Sequence, residues 1–170
     1  MQKKINLKIK YRESFRPFAP SVLEEDAQNY FELESSSPYM LFVAPVKEAI
    51  RKPLPNNFYE LPLMERLNLE RSELQSITHL DFSARIQTVE KQDNPRFHQL
   101  LSAMKERTGD GILLNTSFNV RGEPIVCTPA DAFYCFMNTE MDYLVINNHL
   151  YKKTEQKDWN NKKKWKQVFD

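Results

Sequence analysis

The stretch from Ile112 to Pro124 constrains this chain more than any other segment. Three apolar residues, Ile112, Leu113 and Leu114, read as a short strand that stops abruptly. Of the next five residues, Asn115, Thr116, Ser117 and Asn119 carry short side chains that donate and accept hydrogen bonds. Arg121 then adds a planar cation suited to phosphate or carboxylate, and Gly122 relaxes the backbone. An α/β domain presents a small anionic ligand in this way, at the end of a buried strand. A hydrogen-bonded turn after a core strand has the same composition, so residue types alone leave both readings open.

The glycine count narrows the chemistry. With only Gly109, Gly111 and Gly122, the chain holds neither a Walker-type phosphate loop nor a dinucleotide fingerprint, which need several glycines in one turn. A bound nucleotide would have to meet Lys, Arg and Ser/Thr side chains and isolated amides. The net charge of +1 gives no global field for nucleic acid or a membrane, so nucleic acid is not the favoured partner. No apolar run reaches the ~20 residues that span a bilayer, and residues 1–5 lack the apolar core of a signal peptide. Cys127 and Cys135 make no disulfide framework and no metal-ligand spacing, so a cytoplasmic setting and no metal site are expected.

Along the chain, residues 3–18 alternate basic and apolar side chains. The spacing predicts a strand with Lys8, Lys10 and Arg12 on one face, about 7 Å apart. Ser21 with Glu24 has capping-box spacing and predicts a short helix over about 22–30. Residues 39–44 read as a buried strand ended by Pro45, and residues 64–75 as a weak helix after a proline-rich loop. Residues 84–89 alternate as a strand. Asn94-Pro95 opens a helix with Phe97, Leu100, Leu101 and Met104 on one face and Gly109 as its stop. Thr128 and Asp131 cap a second helix to about Asn138, and 143–146 is a short buried strand. Strands interleaved with helices predict an α/β fold, with α+β also open because the alternation is not regular.

Four groups carry possible chemistry: Lys8, Lys10, Arg12 and Arg16; His79, Asp81, Arg85, Gln87 and Thr88; the cluster Asn115 to Arg121; and Lys162, Lys163, Lys164 and Lys166 around Trp165. The bland alternatives are a lysine-protected edge strand, an ordinary polar strand, a turn and a solvated tail.

Several long blocks resemble one family, and in its order: Asn6 to Pro20, Ser37 to Met40, Ala84 to Val89, Asn94 to Phe97 and Leu114 to Val126. Over about residues 5–151 the chain resembles the C-terminal domain of the NodU/CmcH-type carbamoyltransferases. That likeness implies a YrdC-like twisted mixed sheet with flanking helices and a concave basic face, in one domain over 1–151, followed by a lysine-rich tail over 152–170. It also implies a reaction: ATP and carbamoyl phosphate, with Mg²⁺ accompanying the nucleotide, give carbamoyl-adenylate. A separate N-terminal domain then carbamoylates a hydroxyl of a small molecule or oligosaccharide. That domain is missing here, so a piece of a longer protein or a shortened homologue is expected.

In this reading Lys10 and Arg12 meet phosphates. Arg85 meets the carbamoyl or leaving phosphate, and Ser117 with Asn115 holds the carbamoyl-adenylate. Arg121 either positions the Ser117 loop or touches phosphate. Lys8, Arg16, Gln87, Thr88, Thr116 and Asn119 complete the binding set. Two rival readings are an RNA-binding YrdC-like module and a threonylcarbamoyl-adenylate synthase.

Overall fold

The computed structural model describes residues 1–160 and has a mixed α/β fold. The chain divides into two compact units. One runs from Pro17 to Thr116; the other joins Met1–Arg16 to the chain from Ser117 onward.

The Pro17–Thr116 unit is built on strand β1, Ala19–Leu23, all five residues of which are buried. It lies between β4 (Gln87–Val89), which it pairs in parallel, and β5 (Ile112–Asn115), which it pairs antiparallel. The predicted helix over 22–30 therefore begins late. A single 3-10 turn, Glu24–Asp26, precedes helix α2, Ala27–Tyr30. Ser21 spends its hydroxyl on Gln87 (2.7 Å) instead of a helix cap, because a central strand buries Val22 and Leu23 on a sheet interior.

The strand expected over 39–44 shortens to β2, Val43–Pro45. Tyr39 and Leu41 are 80% and 77% exposed, and Met40 turns the chain at φ 55°. The strand expected over 84–89 is two strands. β3 (Ser83–Arg85) pairs antiparallel with β2, and β4 pairs with β1, the switch falling at the fully buried Ile86. Helix α3 covers only Leu63–Asn68.

Helix α4, Pro95–Thr108, follows its sequence signals: the Asn94 side chain accepts from the Phe97 amide, Pro95 is first, and Gly109 ends it at φ 89°. Its buried contact is Leu101, which packs with Leu23 and Val89 and is flanked by Phe97 and Leu113. Leu100, expected on the same face, is 56% exposed. At Gly111 a Cβ would meet Leu23 Cδ1 at 2.7 Å, so any larger residue there makes the Leu23 side chain shift.

The second unit contradicts the strand expected near the N-terminus. Helix α1, Gln2–Ile5, runs into a wider π-helical turn, Asn6–Lys10, ended by Tyr11 in the left-handed region at φ 49°. The buried positions here are polar, Asn6 at 0% and Lys10 at 5% exposure, four residues apart. Lys8 and Arg12 therefore do not line one strand face with Lys10. The alternation of apolar residues misled because burial follows bonded polar heads.

Helix α5, Pro129–Asn138, has the expected capping box: Thr128 and Asp131 each bond the other's backbone. Strand β6, Tyr143–Ile146, buries only Leu144 and pairs with the unanticipated β7, His149–Lys152, through a turn containing Asn147 at φ 52°. Ala132, Phe136 and Leu144 form the core of this unit. Residues after β7 continue against it. The Lys153 ammonium caps the end of α5 at the Phe136 and Thr139 carbonyls, and Trp159 packs edge-on against Phe133 and Tyr134. The basic group around Trp165 lies outside the described residues. No helix among the described residues is long and apolar enough to cross a membrane.

Candidate functional site

Asn6 organises the N-terminal segment. Its amide nitrogen donates to the Ser14 and Arg16 carbonyls (3.0 and 2.8 Å), and its amide oxygen accepts from Arg12 Nε at 2.6 Å. Its backbone carbonyl accepts from the amides of Tyr11 and Arg12. One buried side chain thus shapes the loop from Tyr11 to Arg16 and orients the Arg12 guanidinium. Sequence reading missed it. The only signal was an asparagine among alternating apolar residues.

The same turn presents Lys10. Its ammonium lies 2.7 Å from the Ser117 carbonyl, 3.2 Å from Ser117 Oγ, 2.7 Å from the Asn119 carbonyl and 2.8 Å from Asn119 Oδ1. Three N–H groups are shared among four acceptors. Burial, and then the Arg12 cation, push this ammonium down to about 8 from 10.5. Ser117 Oγ donates to Asn119 Oδ1 at 2.7 Å, and Asn119 Nδ2 donates to the Glu123 carbonyl at 2.9 Å. Arg121 donates its backbone amide to the Lys10 carbonyl at 3.2 Å. Lys10, Ser117, Asn119 and Arg121 therefore form one bonded cluster.

Around it stand further charges. Glu13 contacts Arg16 Nη1 through one oxygen and Arg121 Nη1 through the other, each at 3.5 Å. A hydrogen bond from its own backbone, then Arg121 and Arg16, hold the Glu13 carboxyl below the ordinary carboxylate value. Arg12 is half-buried; burial lowers its pKa, and the charges of Arg16 and Glu13 act on it as well. Lys8 instead pairs with both oxygens of Glu140 at 3.0 and 3.1 Å on an exposed surface.

The other predicted residues belong to the Pro17–Thr116 unit. Asn115, at the end of β5, donates to Gln87 Oε1 (2.6 Å) and Ser21 Oγ (3.0 Å), and Gln87 Nε2 donates to the Pro38 carbonyl. Thr88 is buried, its hydroxyl accepting from the Ser37 amide at 2.8 Å. Arg85 and Thr116 are exposed. Asn115 and Ser117, two residues apart, fall in different units. His79 and Asp81 do not meet as an acid–base pair. Ser83 Oγ stands between them, donating to Asp81 Oδ1 (2.7 Å) and bonded to His79 Nδ1 (2.9 Å), and burial lowers the His79 pKa. The arrangement staples the turn before β3.

These features describe a mixed α/β domain with a cationic cluster, rich in amide and hydroxyl groups, whose composition suits phosphates and carboxylates. The chain belongs to the carbamoyltransferase C-terminus family, which it matches over residues 1–153. It is 58% identical, over all of its length, to an uncharacterized protein of Synechocystis sp.. It is 42% identical over 92% of its length to nodulation protein NolNO of Sinorhizobium fredii. It is 34% identical over 86% of its length to the 3'-hydroxymethylcephem-O-carbamoyltransferase of Amycolatopsis lactamdurans. The chain spans only 28%, 21% and 24% of these relatives' own lengths.

Proposed function

We propose that this chain binds ATP and carbamoyl phosphate and forms carbamoyl-adenylate, which a separate transferase domain uses to carbamoylate a hydroxyl group. The observation that carries this reading is the cluster of Lys10, Arg12, Arg16 and Arg121 beside Ser117 and Asn119. Both substrates are anions, so the reaction needs positioning and charge neutralisation more than proton transfer.

The bonds balance in two steps. Water takes the phosphate of carbamoyl phosphate and leaves carbamate. A carbamate oxygen then attacks the α-phosphorus of ATP, and pyrophosphate departs with the electron pair of the broken P–O bond. The guanidiniums of Arg12, Arg16 and Arg121 neutralise the phosphates. Lys10 holds the Ser117–Asn119 loop and adds its charge behind it. Ser117 and Asn119 offer the hydroxyl and amide groups that match a planar carbamoyl group. Mg²⁺ enters as a ligand of the nucleotide's phosphates, and no residue of the chain is assigned to it. The printed name of the Amycolatopsis relative, a hydroxymethyl carbamoyltransferase, supports a hydroxyl as acceptor.

Mass spectrometry of the chain incubated with Mg-ATP and carbamoyl phosphate tests the reading. Carbamoyl-AMP that requires both substrates is the expected product, and alanine at Ser117 should reduce it at least tenfold. Undiminished adenylate in a folded Ser117→Ala protein would remove this assignment. Adenylate from threonine and bicarbonate, with no need for carbamoyl phosphate, would replace the reaction itself.

A further inference from the structure

The geometry points to Glu13 as an internal stand-in for the substrate's phosphate, a carboxylate that occupies the arginine clamp until a polyphosphate displaces it. This inference rests on the reading above and adds a residue to it.

The two oxygens of Glu13 are divided between two arginines. Each contact is 3.5 Å, and the side chains of Arg16 and Arg121 are 53% and 52% exposed. Committed charge-assisted bonds run at about 2.7–2.9 Å and are often bidentate. Lys8 and Glu140 in the same unit show the committed form, with both oxygens at 3.0–3.1 Å from one ammonium. Beyond the hydrogen bond from its own backbone, Glu13 is held loosely by comparison, by two arginines whose remaining guanidinium nitrogens it does not engage. Arg12 stands close enough for the charges of Glu13 and Arg16 to act on it. Two guanidiniums sharing one carboxylate at 3.5 Å, with the Arg12 cation acting on the same carboxylate, make an anion site with a monoanion in it.

A phosphate chain carries more charge and more oxygens than a carboxylate, so it can meet the arginine forks two bonds at a time. It would outcompete Glu13, while a small monoanion would gain little over it. The carboxylate therefore keeps the arginines oriented when no substrate is bound and raises the threshold for weak anions. The backbone around it is fixed by Asn6, whose carbonyl accepts from the Arg12 amide before it and whose side-chain amide donates to the Ser14 and Arg16 carbonyls after it, so only the side chain needs to swing away.

Titration calorimetry with inorganic pyrophosphate on the full chain tests this. Glu13→Gln should bind pyrophosphate about two- to tenfold more tightly than wild type, the range set by losing two exposed ion pairs. The gain should vanish when Arg121→Gln is added. Glu13→Asp, too short to reach both arginines, should shift affinity in the same direction and covers the case in which Glu13→Gln does not fold. Unchanged or weaker pyrophosphate binding in a folded variant overturns the inference. Carbamoyl-AMP formed by wild type with no affinity gain in Glu13→Gln overturns the stand-in alone. The affinity gain without any carbamoyl-AMP from wild type supports the stand-in and sinks the proposed reaction. Failure of both proteins to bind pyrophosphate or ATP overturns both.

Discussion

Replacing Lys10 with Met keeps most of the stem and removes the ammonium, so it isolates the bonds that hold the Ser117–Asn119 loop. The lost contacts are those to the Ser117 carbonyl and Oγ and to the Asn119 carbonyl and Oδ1. Two acceptors keep a role without lysine, because Ser117 Oγ still donates to Asn119 Oδ1. The two backbone carbonyls lose this donor inside a part-buried cluster. Charge-assisted bonds are worth ~1.5–3 kcal/mol each, set against the cost of burying the ammonium, so the net loss should be about 2–4 kcal/mol at pH 7. Urea denaturation can follow it through Trp159, which packs on Phe133 and Tyr134 in the same unit, with Trp165→Phe as background.

The pH dependence gives an independent check. Burial holds the Lys10 ammonium down at about 8 in the folded chain, against its ordinary 10.5. Below pH 8 both states are charged and the burial cost is fully present. Between pH 8 and 10.5 the folded state releases its proton first, so the unfolded state binds more protons and wild type gains stability relative to Lys10→Met. That contribution is complete above 10.5 and is lost as pH falls through 8. A loss below ~0.5 kcal/mol at pH 7, within the range of ordinary surface substitutions, would refute the reasoning. So would a difference between the two proteins that stays flat from pH 7 to 11.

Three further substitutions follow from buried polar and packing features. Asn6→Ala strips donors from the Ser14 and Arg16 carbonyls and the acceptor from Arg12 Nε, and should cost about 2–4 kcal/mol in denaturant titrations while also weakening pyrophosphate binding. Arg71 is 3% exposed and donates to the carbonyls of Arg66, Leu67, Leu69, Thr78 and His79, so Arg71→Leu should cost at least ~3 kcal/mol. Gly111→Ala puts a Cβ 2.7 Å from Leu23 Cδ1 and 3.1 Å from Asp26 Oδ2, and should lower stability by about 1–3 kcal/mol. Equal stability of Gly111→Ala and wild type would mean that Leu23 yields freely.

What the sequence made legible was local. The caps of α4 and α5 followed from residue types whose bonds close within four positions, and the strand ending at Asn115 from a short apolar run. The N-terminal segment was misread because its buried residues, Asn6 and Lys10, are polar. Their burial depends on acceptors up to 109 residues away, which no local pattern contains. Residues 84–89 were read as one strand because alternation cannot show that Ile86 hands the chain from one sheet to another. β7 was overlooked because Leu150 faces out and Tyr151, which packs on the core, stands between it and Lys152, so no clear alternation shows. At the candidate site, the residue types around Asn115–Arg121 pointed to a polar cluster, and Ser117, Asn119 and Arg121 are bonded into one with Lys10. The bonded set centres on Lys10, Ser117 and Asn119, and Glu13 and Asn6 gave no sign of their place in it.

The most direct measurement is carbamoyl-phosphate-dependent release of pyrophosphate from Mg-ATP, compared between wild type and Arg121→Gln. The account predicts release that requires carbamoyl phosphate and falls at least tenfold in a folded Arg121→Gln protein. Release that ignores carbamoyl phosphate, or that Arg121→Gln leaves unchanged, would contradict it.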